Sequence, residues 1–243
     1  MRRSSAPSSH FYDCKTVNIV SVVQTLNVEL KNSIMSKASK LFDRNVPGST
    51  EILGRSTVGI AGCGGLGSNA AVALARAGIG TLIIADHDIV EESNLNRQHY
   101  FQSDIGKRKV TALAKHLKAI NPQIKIKAVK KRLYDFDVPE VFKQADLLIE
   151  ALDRAEAKSW LIEAWCSAFP DRPLVCASGL SGIGKTEELK VQRAGNIYVV
   201  GDGTSDMSMG LCSARVAIAA NMEANIALEL LIKGRDRKND KNK

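Results

Sequence analysis

Apolar and polar positions follow no clear period before about residue 41: a Ser-rich start gives way to residues 17–28, a mixed stretch that fits either a strand or a helix. From Thr57 the pattern turns regular. Residues 57–62 are a short apolar run of the kind a fully buried strand shows, and residues 66–77 carry apolar side chains at helical spacing with Gly78 as their stop. A second strand is predicted over 81–86, a helix over 105–120 ended by Asn121-Pro122, and an alternating strand over 124–129. Buried strands at 145–151 and 173–177 flank a helix at 154–169.

Strands alternating with helices at this interval imply a parallel sheet covered on both faces. After residue 177 the pattern changes: 188–192 and 197–200 flank Ala194-Gly195-Asn196 like a hairpin, and a long apolar helix succeeds them from about 214 to 232. The expected fold class is therefore α/β, a Rossmann-like doubly wound, mostly parallel sheet with helices on both faces and a C-terminal antiparallel portion. Three segments are expected: an N-terminal extension over 1–40, partly disordered, one domain over 41–234, and a charged disordered tail over 235–243.

Composition supports one domain with a full core, since 44% of the 243 residues are hydrophobic and 25% charged. The formal net charge of +8 would suggest nucleic acid, but all except about +2 of it falls within residues 1–15 and 233–243. Two solvated polar ends are the simpler reading, and no nucleic-acid partner is expected. The five cysteines (Cys14, Cys63, Cys166, Cys176, Cys212) form no C-x-x-C pair, so neither a disulfide framework nor a four-thiolate zinc site is expected. A reducing cytoplasm fits. No run approaches the ~18 apolar residues of a membrane span, and residues 4–9 are polar where a signal peptide needs an apolar stretch.

The chemistry is concentrated after the first strand. Gly62-Cys63-Gly64-Gly65-Leu66-Gly67 matches G-x-G-x-x-G between a strand and a helix, and Asp86 ends the next strand, where an acid binds ribose hydroxyls. Glycines let backbone approach a pyrophosphate at a helix N-terminus, whose N–H groups favour anions. NAD, FAD and ATP all fit that loop. What separates them is the polar run from Asp86 and Asp88 through Asn94, Arg97 and Gln98 to Lys109, which a hydride enzyme does not need. Arg97 and a lysine some twelve residues on can converge on a triphosphate and neutralise charge that shifts as a phosphoanhydride breaks.

The G-x-G-G-L-G loop, Asp86-x-Asp88 with Val90, Ser93-Asn94-Leu95-x-Arg97-Gln98, Gly106-x-x-Lys109 and Asp153 together resemble the ubiquitin-activating-type (ThiF/MoeB/HesA) superfamily. Phe42-x-Arg44-Asn45 and Ala177-Ser178-Gly179 look most like its compact thiamine sulfur-carrier (ThiF-like) branch. The resemblance implies ATP-dependent adenylylation of the Gly-Gly carboxylate of a small β-grasp sulfur-carrier protein. It assigns Asp86 to the ribose, Arg97 and Lys109 to the phosphates, Asn94 and Gln98 to the pocket, Asp153 to Mg²⁺, and Arg44 to the phosphates of a neighbouring subunit in a homodimer. Arg97, Lys109, Asp153 and Arg44 would thus be the catalytic set. Activation of a molybdopterin-type or other ubiquitin-like carrier, a nicotinamide or flavin oxidoreductase, and a catalytically silent nucleotide-binding scaffold are the alternatives.

Two features sit apart. Larger relatives use a cysteine on a crossover loop; here that region offers Cys212, whose place at the start of an apolar helix suits packing. Residues 179–186 match G-x-x-x-x-G-K-[ST] in full, but residues 187–191 alternate with period two and lead to a turn at 194–196, whereas a P-loop opens a helix. The segment is expected to form a wall near the carrier's tail.

Overall fold

The computed structural model describes the backbone of residues 40–240 and the side chains of residues 40–234. The N-terminal extension up to residue 39, with Cys14, and residues 241–243 of the expected tail lie outside the described residues. From Arg44 onward the chain forms one unit. Its elements are α1 (Ser49–Gly54), β1 (Thr57–Ala61), α2 (Gly65–Ala77), β2 (Thr81–Ala85), α3 (Lys109–Ile120), β3 (Lys125–Val129), α4 (Val138–Val141), β4 (Leu147–Glu150), α5 (Ala155–Ala168), β5 (Leu174–Ala177), β6 (Lys190–Ala194), β7 (Ile197–Gly201) and α6 (Ser213–Asp240).

The seven strands make one sheet in the order β3-β2-β1-β4-β5-β7-β6. All neighbours are parallel except β6 and β7, the antiparallel hairpin that the alternation after residue 187 predicts. β1 and β4 adjoin at the centre, so the chain leaves the sheet in opposite directions there and opens a crevice at the carboxyl ends of these strands.

Alternation along the central strands sends side chains to two cores. Val58, Ile60, Ile84, Ile149 and Val175 meet α2, α3 and α6 on one face; Ala61, Ile83, Leu148 and Cys176 meet Val138, Leu161 and Trp165 on the other. Small residues set how closely α2 and α6 approach: Ala70, Ala71 and Ala75 share a core with Ala219, Ala220, Ala224 and Ala227, all at most 2% exposed. That contact lets α6 lie along α2 and bring its first turn to the glycine loop.

Element boundaries depart from the sequence reading where tertiary pairing competes with helical periodicity. Helix α3 begins at Lys109 rather than residue 105, because Gly106 takes φ 81° and the preceding backbone pairs elsewhere: Val90 N–H donates to Lys107 O and Lys109 N–H to Asp88 O. Helix α6 runs past Gly234 to Asp240, through the first part of the stretch expected as a tail. The short helices α1 and α4 carry too few turns to show a period.

Candidate active site

Strand β1 delivers the glycine loop to the crevice. Gly62 takes φ 98°, and a Cβ there would stand 2.4 Å from the carbonyl oxygen of Ala151, so the loop turns directly against the end of β4. At Gly67 a Cβ would stand 1.9 Å from Gly62 O, which lets α2 fold back over the loop that precedes it. Ser68 N–H bonds Gly64 O, and no side chain caps the helix start, so the N–H groups ahead of Ser68 are those that a helix leaves for an anion. Leu66 contributes backbone only, since its side chain belongs to the core.

Asp86 stands beside this loop. Its Oδ2 accepts the Cys63 N–H at 2.7 Å and its Oδ1 the Asp88 N–H at 2.7 Å. Each oxygen keeps a further lone pair for a hydroxyl. Lys109 is 7% exposed at the first position of α3 and donates to Asp88 Oδ2 at 2.9 Å. Burial pushes the Asp88 carboxyl up, but the Lys109 ammonium, helped by the charges of His87 and Arg132, holds it below its ordinary value.

The strip 94–101 supplies the other polar groups. The Gly65 position lies against Arg97, with Cγ 3.6 Å from where a Cβ would be, and the Gly64 position faces Gln98 Nε2 at 3.8 Å. Arg97 Nη1 donates to Ser93 O and Asn96 Oδ1. Gln98 is 8% exposed and its Oε1 has no hydrogen-bond partner, an uncommon state for a buried amide and one that a ligand donor would relieve. Asn94 is buried as a knot of its own turn: its Oδ1 accepts the Glu91 N–H and its carbonyl accepts from Arg97 and Gln98.

The structure therefore gathers the glycine loop, Asp86, Asp88, Arg97, Gln98 and Lys109 at one end of the sheet. Asp153 follows the Ala151-Leu152 turn that packs on Gly62, and it is exposed. One protein carboxylate, with phosphate and water oxygens completing the shell, suits Mg²⁺. Among the described residues, the group of three potential metal ligands within 4.8 Å is Asp86, His87 and Asp88, with Asp153 outside it. Arg44 is exposed ahead of α1, while its neighbour Asn45 caps α2 by donating to Ala77 O at 3.0 Å.

Several residues that sequence reasoning passed over hold the site. Ser68 Oγ receives the His99 N–H, and Asn69 Nδ2 bonds both Gly65 O and Arg97 O, fastening the strip to α2. Tyr100 OH bonds Cys63 O at 2.8 Å beneath the loop. Glu150 is fully buried, accepts the Leu152 N–H at 2.7 Å, and pairs with Lys158 at 2.8 Å, fixing the turn that carries Asp153. Two adjacent polar residues just after the glycine loop, in an otherwise apolar helix, were the only trace of Ser68 and Asn69 in the sequence; the others become neighbours only through the fold.

The G-x-x-x-x-G-K-T segment opens no α-helix and leads through a short turn into β6. Its carbonyls, not its N–H groups, converge on a cation: Arg215 donates to Gly184 O and Lys185 O, and pairs with Asp202 at 2.6 Å. Cys63 is buried and its thiol is raised well above its ordinary value by burial and then by Asp86; burial pushes Cys176 up to about 12. Neither is a ready nucleophile. Among the described residues no helix is long and apolar enough to cross a membrane.

Over residues 36–242 the chain matches the ThiF family. It is 39% identical over 122 residues to adenylyltransferase and sulfurtransferase uba4 of Aspergillus niger, covering 50% of this chain and 25% of that protein. It is 36% identical over 146 residues to the sulfur carrier protein ThiS adenylyltransferase of Escherichia coli K12, covering 60% of this chain and 57% of that one. The matched part thus spans from a quarter to somewhat over half the length of these relatives. The fold is shared with the E. coli tRNA N6-threonylcarbamoyladenosine dehydratase TcdA, at a TM-score of 0.76 and 20% identity over 85% of this chain and 98% of that one. TcdA in complex with ATP superposes at a TM-score of 0.72, with 22% identity over 83% of this chain and 95% of that one.

Proposed function

Because the chain belongs to the ThiF family, we propose that it is an adenylyltransferase that activates the C-terminal Gly-Gly carboxylate of a small β-grasp sulfur-carrier protein with ATP. The observation that carries this reading is the convergence on one glycine loop of Asp86, Arg97, Lys109 and the unpartnered Gln98 carbonyl.

The carrier carboxylate, ionised at neutral pH, attacks the α-phosphorus in line and pyrophosphate leaves, so no protein nucleophile is required. The chain's work is alignment and charge. The helix start at Gly65 and the guanidinium of Arg97 hold phosphate oxygens, Asp86 the ribose, and Lys109 leaves Asp88 to follow the developing charge on the leaving group. Asp153 would hold Mg²⁺, which when bound supplies further positive charge at the phosphates. Arg44 acts from a second copy in a homodimer. Exposed Ile183, on the segment leading into β6, and exposed Met207 and Met209, on the segment leading into α6, offer an apolar wall for the carrier and its tail. Thiazole formation for thiamine is the pathway proposed, on the local resemblance at Arg44-Asn45 and Ala177–Gly179, in a reducing cytoplasm.

ATP–pyrophosphate exchange with purified protein, Mg²⁺ and candidate Gly-Gly-ended carriers tests the reading. Exchange is expected with one carrier and is expected to fall by at least about 10³-fold in Lys109→Ala and in Asp153→Ala. Full exchange in Asp153→Ala would remove the metal assignment, and no exchange with any carrier would favour a nucleotide-binding scaffold.

A further inference from the structure

The loop between β2 and α3 carries Asp86, Asp88, Arg97 and Gln98 and contains only two short helical turns, so side chains must fix its course. Two of them stand behind the pocket. His116 lies on α3, seven positions beyond Lys109 and so on a similar face. Its Nε2 is 2.9 Å from Asp104 Oδ2 and its Nδ1 is 3.2 Å from the carbonyl oxygen of His99. Asp104, 2% exposed, also accepts the Phe101 N–H at 3.1 Å and the Lys107 ammonium at 3.2 Å.

Both atoms facing the His116 ring are acceptors. A neutral imidazole has one N–H and can satisfy one of them, whereas the imidazolium satisfies both. We infer that His116, donating from both ring nitrogens to Asp104 and to the His99 carbonyl, is a positioning residue: it clasps the strip 97–101 to α3, so that Arg97 and Gln98 are held in register with Lys109. The groups around it fit this role. His99 and Tyr100 of the strip and Phe101 ring the imidazole, Lys107 shares Asp104, and Arg76 of α2 stands near His99. Burial, then the charges of His116 and Arg76, lower the His99 pKa. Burial pushes the Asp104 carboxyl up, but the Phe101 N–H, Lys107 and the His116 charge together hold it below its ordinary value.

The clasp itself is independent of the activity; its consequence for ATP rests on the adenylyltransferase reading. The test is hydrogen-exchange protection of the amides of residues 97–101 in the full chain, with ATP titrated calorimetrically alongside. His116→Gln, which cannot donate to both acceptors from its one amide nitrogen in the ring's geometry, is expected to show about tenfold lower protection of these amides with those of β4 and β5 unchanged, and about tenfold weaker ATP binding. Asp104→Asn, which keeps an acceptor but removes the charge, provides the same comparison should His116→Gln fail to fold. Unchanged protection in both variants overturns the inference. Lower protection of the strip in the variants of a protein whose wild type binds no ATP upholds the clasp and overturns the adenylyltransferase reading instead.

Discussion

Glu223 is fully buried on α6, and neither of its carboxylate oxygens has a hydrogen-bond partner. Burial, reinforced by Glu150 and opposed by Lys158, raises its pKa well above the ordinary value, so the residue is carried as a neutral acid. In the unfolded chain it ionises near its ordinary value of about 4.3. Folding at pH 7 must therefore reprotonate it, and the residue costs stability increasingly as pH rises above about 4. Glu223→Gln is expected to stabilise the protein by about 1–2 kcal/mol at pH 7 and by little at pH 4, read from thermal melts at both values. A loss at pH 7 that shrinks at pH 4 would mean instead that the native state uses the charged carboxylate. Gly67→Ala should act in the opposite sense: its Cβ would meet Gly62 O at 1.9 Å, and the expected cost of about 2–3 kcal/mol would come with loss of nucleotide binding, because relief requires the loop to move.

Between elements, the Asp202–Arg215 pair joins β7 to α6 and to the segment after β5. Asp202 Oδ1 accepts the N–H groups of Thr204 and Ser205, and Arg215 reaches the carbonyls of Gly184 and Lys185. Arg215 adjoins Val216, whose Cγ1 lies 2.9 Å from where a Gly65 Cβ would be, so this pair also seats the first turn of α6 on the glycine loop. Burial pushes the Asp202 carboxyl up, but the Ser205 and Thr204 N–H groups and Arg215 outweigh it and hold it far below its ordinary range. A depressed native pKa gives stability that is present above about pH 4 and is lost as pH falls through the native value. Asp202→Asn leaves a buried guanidinium without its counter-charge and is expected to cost about 3 kcal/mol in urea unfolding at pH 7, with the gap from wild type narrowing at acid pH. A cost below about 1 kcal/mol at pH 7 would show that packing, not this pair, seats the helix.

At the scale of the whole molecule, a single chain gathers every proposed phosphate ligand except Arg44, which is exposed. If Arg44 acts across a homodimer, Arg44→Ala and Lys109→Ala proteins, each inactive alone, should recover roughly a quarter of wild-type exchange when mixed, since half of the random dimers are mixed and each has one intact site. No recovery, with subunit exchange verified, would place Arg44 within its own chain's site or outside the chemistry.

Sequence alone determined the parts of this protein that depend on local physics. The buried apolar runs and helical periods gave the alternating order and the parallel core; the glycines at 62–67 mark a turn that only small residues allow; and the spacing of Asp86, Arg97, Gln98 and Lys109 behind that turn pointed to phosphate chemistry. The full match to a P-loop at 179–186 fails on period alone, and the structure turns its carbonyls to Arg215. What only tertiary structure decided are relations between residues far apart in the chain: the start of α3, set by pairing of Val90 with Lys107; the burial of Glu150 under the Asp153 turn; and the meeting of His116 with Asp104 and His99. A carboxylate or an imidazole looks the same in sequence whether solvated or buried, because its charge and its role are set by which donors and acceptors the fold places within about 3 Å of it.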